Sequence, residues 1–264
     1  MLFATAADGA RLSYDMIGSG PPLLLVAGQA SDRSVWAGIR DDFAARHRVV
    51  VFDHRGTGDS DKPAQPPYST RGFATDAVAI LDAAGIGRAH VYGISMGGRI
   101  GQWLAIDHPA RLGALVLGCT TPGNVHGVRR PPEVDPELAS GDPARLSPYL
   151  VSLEWATAHP QLLAAWAAAA RDRPVPPHAR RLHYQASEAH DAWDLLPTIT
   201  APTLVVHGSA DQVNVAANGS LLAERIPGAV VQLIAGARHA YFWEYRPFAS
   251  QLVLDFLARH PLGG

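Results

Sequence analysis

The sequence predicts an α/β protein: a mostly parallel, doubly wound sheet with one small helical insertion. Three observations predict it. Short apolar runs rich in Val and Leu alternate with longer helical patterns. The strand pattern disappears once, between 122 and 198. The residues able to do chemistry fall just after predicted strands, at the sheet edge where ligands bind in open α/β folds.

The elements follow in order. Segments 2–5 and 10–16 are expected to pair as antiparallel edge strands. Six runs then read as strands: 22–28, 47–53, 89–95, 112–118, 202–208 and 229–236. Each is apolar along most of its length, as a parallel strand buried on both faces requires. The intervening segments 33–46, 70–84, 96–108, 215–226 and 247–259 read as helices. Residues 122–136 are rich in Pro and Gly and read as a connector. Helices are expected at 143–158, 160–172 and 177–193. The organisation is therefore a core of 1–121 and 199–264, with a helical cap at 122–198.

Composition narrows the classes. The chain has 264 residues, 47% hydrophobic and 17% charged, which is globular. A net charge of −2 offers no basic excess for phosphates, so no nucleic acid partner is expected. Cys119 is the only cysteine, which excludes an intrachain disulfide. No apolar run approaches the ~20 residues of a membrane span, and the N-terminus has no signal-peptide pattern. A cytoplasmic protein without membrane association is expected. Lys62 is the only lysine, and Ala, Gly and Pro are heavily used, as in GC-rich bacterial genomes.

The sharpest motif is Gly93-Ile94-Ser95-Met96-Gly97, placed between a strand and a helix. G-x-S-x-G in that context is a nucleophile elbow, whose glycines admit a tight turn that lifts the serine hydroxyl above the sheet. Serine needs a base, and the base needs an orienting acid. Asp211 follows strand 202–208, and His239 follows strand 229–236, in the order Ser, Asp, His. The bland readings are a helix N-cap or turn residue for Asp211 and a surface loop histidine for His239. An oxyanion hole needs two N–H donors. Met96 and Gln29 are the candidates, with Gly28 allowing close approach. His183 reads as a solvated helix histidine and His207 as buried packing. Asp191 and Asp194 are fallback acids. No metal-binding pattern and no cofactor motif is present. The stretch 53–60 contains G-x-G but opens into Pro-rich sequence, and reads as a structural loop.

These residues resemble the α/β-hydrolase superfamily over nearly the whole chain. The resemblance rests on D-x-R-G-x-G-x-S at 53–60, G-x-S-M-G-G at 93–98, G-S-A-D at 208–211 and G-A-R-H at 236–239. Segment 93–123 is similar to the 3-oxoadipate enol-lactonase and carboxylesterase branch. Many members carry His-Gly before the oxyanion residue, whereas this chain has Ala27-Gly28. The resemblance implies a serine hydrolase acting on an ester or lactone, with no cofactor required. It does not fix the substrate, but an apolar, aromatic pocket under the cap suits a small hydrophobic or ring-containing molecule. Trp155, Trp166, Tyr184, Trp193, Tyr241, Phe242 and Trp243 are candidate pocket residues. Two other classes stay open: a non-hydrolytic enzyme on this fold (cyclisation, elimination or peroxide chemistry) and a small-molecule binder. The oligomeric state is not legible.

Overall fold

In the computed structural model, residues 1–65 and 68–263 are described. Eight strands form one sheet: β1 Leu2–Thr5, β2 Arg11–Ile17, β3 Pro22–Val26, β4 Arg48–Phe52, β5 Ala89–Ile94, β6 Leu112–Gly118, β7 Thr203–Gly208 and β8 Val230–Ile234. Their order is β1-β2-β4-β3-β5-β6-β7-β8. The β1–β2 and β2–β4 pairs are antiparallel and the remaining pairs are parallel. The expected edge pair and doubly wound core are thus present.

Alternation along each strand builds two cores. Leu24, Val26, Val50, Phe52, Val91, Leu115 and Val205 face α2 (Thr70–Ala83), α3 (Met96–Asp107) and α9 (Ala217–Arg225). Leu23, Leu25, Val49, Val51, Tyr92, Val116 and Leu204 face α1 (Arg40–Ala44) and α11 (Arg246–Ala258). Burying both faces is why these strands read as continuous apolar runs.

Between β6 and β7 the chain forms α4 Val134–Ser140, α5 Pro143–Leu150, α6 Leu153–Ala158, α7 Pro160–Asp172 and α8 Pro177–Glu188. A last short helix of the core, α10 Tyr241–Glu244, follows β8. The expected helix 143–158 is in fact two helices. Val151 is extended, and the Ser152 hydroxyl accepts the Trp155 N–H to start α6. The expected helix 33–46 is likewise divided, into a 3-10 turn at Arg33–Trp36 capped by Asp32, and α1. Residues 177–193 stop being helical after Glu188, and the connector 122–136 runs into α4. Among the described residues no helix is long and apolar enough to cross a membrane.

Candidate active site

Strand β5 ends at Ile94, α3 begins at Met96, and Ser95 makes the whole turn between them. Its φ of 54° and ψ of −120° lie where a non-glycine residue is strained. The turn survives because its surroundings are built for it. A Cβ at Gly93 would collide with the Gly97 carbonyl, and one at Gly97 with the Val26 carbonyl of β3. The Ser95 N–H donates to the Gly118 carbonyl (2.9 Å), and the Thr120 hydroxyl donates to the Ser95 carbonyl (2.7 Å). Met96 is the first residue of α3, so its N–H has no intrahelical acceptor.

Asp211 and His239 come from the loops after β7 and β8. Asp211 Oδ2 accepts from His239 Nδ1 at 2.8 Å. Asp211 Oδ1 accepts the N–H groups of Val213 (2.8 Å) and Asn214 (3.0 Å). Burial pushes this carboxyl up, but the His239 charge and the bonds from His207 and His239 outweigh it and bring it to about 2. Asp211 is therefore an anion held in place. With Nδ1 of His239 bonded to it, Nε2 is the ring nitrogen left for a proton acceptor. The His239 loop is itself suspended from α5: the Ala240 N–H donates to the Leu150 carbonyl (2.8 Å).

Gly28 lies against the serine. A Cβ placed on it would be 3.4 Å from Ser95 Cβ and 3.9 Å from Ser95 Oγ. Gly28, Gln29, Ser95 and His239 share one cavity of about 190 Å³. Its wall includes Trp166 of α7, together with Phe242 and Trp243 of α10. So seven of the sequence candidates meet at one place.

Four aromatic candidates do not. Tyr241 is fully buried beneath the site, its hydroxyl 2.9 Å from that of Tyr92. Trp155 stacks on His159 (4.6 Å) and packs on the α11 side of the core. Trp193 stacks on His126 (5.1 Å) beneath the Arg225 guanidinium. Tyr184 sits on α8 beside the inward-facing His183 and does not reach the cavity. Helical periodicity marks these as inward-facing or surface-packed aromatics, but does not say against which neighbour.

Several contributors lay outside the sequence reading. His207 is buried packing and more: Nε2 is 3.2 Å from Asp211 Oδ2 and 2.6 Å from the Asn214 carbonyl. Its place four residues before the acid was the available signal. Cys119 also lines the cavity, and burial beside Asp211 pushes its thiol pKa up. Arg173 and Arg180 reach the cavity from α7–α8, and Arg173 pairs with Asp32 at 3.2 Å. His183 is fully buried, not solvated. In the 53–60 loop, Arg55 is clamped by Asp76 and Asp8 (2.6 Å each), and Asp53 pairs with Arg33.

Residues 21–245 match the alpha/beta hydrolase fold family, and the chain belongs to it. RutD of Caulobacter sp. (strain K31), which carries the name of a carbamate hydrolase, is 30% identical over 262 residues. That match spans 93% of this chain and 95% of RutD. Among solved structures, the N-acyl homoserine lactone degrading enzyme Est816 superposes with a TM-score of 0.83 at 32% identity. It covers 97% of this chain and all (100%) of its own. The enol-lactonase of Burkholderia xenovorans LB400 superposes with a TM-score of 0.86 at 27% identity, covering 97% of this chain and 100% of that one. The protein is thus an α/β hydrolase whose relatives are named hydrolases, esterases and lactonases.

Proposed function

We propose that this α/β hydrolase cleaves an ester or lactone bond in a small, hydrophobic or ring-containing molecule, using Ser95, His239 and Asp211 as a catalytic triad. The observation that carries the reading is the 2.8 Å His239–Asp211 bond at a cavity that also contains Ser95 in a strained turn. His239 Nε2 takes the Ser95 proton as Oγ attacks the carbonyl carbon. The Gln29 and Met96 N–H groups hold the oxyanion. The tetrahedral intermediate expels the alcohol, which leaves with the proton from His239. Water, activated by the same base, then releases the acid and regenerates Ser95. Asp211 holds the tautomer and stabilises the imidazolium.

Helices α4–α8 act as a cap in this reading. Leu138, Leu146, Leu150, Trp166 and Val175 give the cavity an apolar roof, which suits an apolar acyl or alcohol part. The lactonase and esterase names of the relatives support the substrate class. RutD adds carbamates, whose cleavage begins with the same attack.

The test is labelling with a fluorophosphonate probe, followed by an ester, lactone and carbamate panel. Wild type labels and turns over; Ser95→Ala does neither; His239→Ala labels far more slowly. Wild type that neither labels nor turns over any member of the panel overturns the reading.

A further inference from the structure

The loop 27–30, which follows β3 and carries the proposed oxyanion donor Gln29, holds a demanding shape. Ala30 has a φ of 51°, the left-handed region that a residue with a Cβ enters only under constraint. Two histidines grip this loop. His54 Nε2 is 3.0 Å from the Ala27 carbonyl. On the other side His183, brought in by α8, lies 153 positions away in sequence and 3.2 Å from the Ala30 N–H through Nδ1.

The tautomer of His183 follows from its two bonds. Its Nε2 lies 2.8 Å from the Arg55 carbonyl, which only accepts, so Nε2 carries the proton. Nδ1 then presents a lone pair, and the Ala30 N–H donates to it. The ring is fully buried between Phe73 (centroids 5.0 Å), Tyr68 (5.6 Å) and His54 (6.1 Å). Burial, with the neighbouring His54 adding to it, pulls its pKa down to about 3, so the ring stays neutral. Arg55, the acceptor, is itself fixed by Asp76 and Asp8. The chain of support thus runs from a buried ion pair, through His183, to the peptide after Gln29.

We infer that His183 is a positioning residue for the oxyanion loop, orienting the Gln29–Ala30 segment beside Ser95 from within the inserted helices. The inference rests on the serine-hydrolase reading above. The insertion then does more than roof the cavity: one of its side chains sets the geometry in which negative charge is received. Such an effect belongs to the transition state, so it changes kcat and leaves ground-state binding alone.

The experiment compares His183→Asn with His183→Gln. Asparagine places an acceptor near the Nδ1 position, and glutamine places a donor near Nε2. His183→Asn retains kcat within about threefold of wild type, while His183→Gln loses about 10- to 100-fold in kcat at nearly constant KM, the scale of a small misplacement of catalytic groups. Affinity for a boronic acid transition-state analogue falls in the same proportion. A role in packing alone makes the two variants alike, or moves KM and thermal stability without kcat, and that result overturns the inference in an otherwise active enzyme. A wild type without turnover overturns the serine-hydrolase reading as well. A second measurement needs no variant. Isotope-labelled histidine, assigned through contacts to Phe73 and Tyr68, shows His183 as the neutral Nε2–H tautomer at mildly acidic pH. An Nδ1–H or imidazolium spectrum there overturns the inference.

Discussion

The Asp211 carboxylate holds two imidazoles with a single oxygen: Oδ2 is 2.8 Å from His239 Nδ1 and 3.2 Å from His207 Nε2. One ring faces the cavity, and the other is fully buried behind it. His207→Phe keeps the ring volume and removes the buried N–H. That N–H donates to the Asn214 carbonyl (2.6 Å) while lying 3.2 Å from the Asp211 carboxylate. A neutral hydrogen bond contributes about 0.5–1.5 kcal/mol, so kcat for an ester falls roughly two- to tenfold. Asp211→Asn removes the charge and the tautomer control, and kcat falls on the order of 10⁴-fold. Steady-state kinetics of both variants check this. A His207→Phe enzyme with unaltered kcat would show that His239 and the two backbone N–H groups alone fix the acid.

Gly97→Ala tests the elbow's packing. The added methyl meets the Val26 carbonyl, and β3 cannot retreat from the middle of the sheet. Urea unfolding is expected to report a loss of about 1–3 kcal/mol, as for other overpacked sites. Gly87→Ala is the control, because a Cβ there meets nothing within 4 Å. Equal effects at the two positions would contradict the close approach at the elbow.

The aromatic residues separate into two groups by position, and kinetics distinguish them. Trp166 lines the cavity and meets Trp243 edge-on at 5.8 Å. Trp166→Ala removes apolar contact with bulky substrates, raising KM about tenfold while short-chain esters are less affected. Trp155→Ala and Trp193→Ala leave KM within about twofold, since their partners are His159 and the His126–Arg225 pair. A KM change at Trp193 equal to that at Trp166 would place the substrate elsewhere.

Stability should fall on mild acidification. Burial drives His54 to about 4 and His183 to about 3, both from an ordinary 6.5. The unfolded chain therefore takes up these protons first. From about pH 6.5 downward each buried histidine costs about 1.4 kcal/mol per pH unit, until its folded value is reached. Asp211 behaves differently. Its pKa drops from 3.8 to about 2, so the stability it contributes is present above 3.8 and is lost only between 3.8 and about 2. Chemical unfolding followed along a pH series checks the sign. A stability flat between neutral pH and the histidines' folded values would mean that these rings are not buried neutral.

Much of this was legible because the informative residues sit beside strong local signals. Ser95, Asp211 and His239 each follow an apolar strand, so their shared edge can be read from chain order alone. Gly28 and Gln29 follow from the same logic after β3. The inserted segment gave less. Trp155 and Trp166 occupy similar-looking helices, yet only Trp166 reaches the cavity, because helix packing angles decide which face meets the core. His183 looks like a solvated helix histidine in the sequence, because its two partners, Ala30 and Arg55, lie far away along the chain. Tyr241 escapes the sequence pattern for a related reason. It directly follows the histidine loop, but the first turn of α10 drives its ring under β5 toward Tyr92.

The Ala240 N–H hangs on a carbonyl of α5, and the Ala30 N–H on a ring from α8. If His239 is the base and residues 27–30 the oxyanion loop, as proposed, exchanging the inserted helices as a route to new substrates also exchanges the scaffolding of both. A chimera that keeps every core residue but supplies a foreign helix register at 150 or 183 inherits a different catalyst along with a different pocket. On the proposed triad, selectivity and rate are set partly by the same residues of this chain, and grafts that preserve those two anchors are the ones expected to stay active.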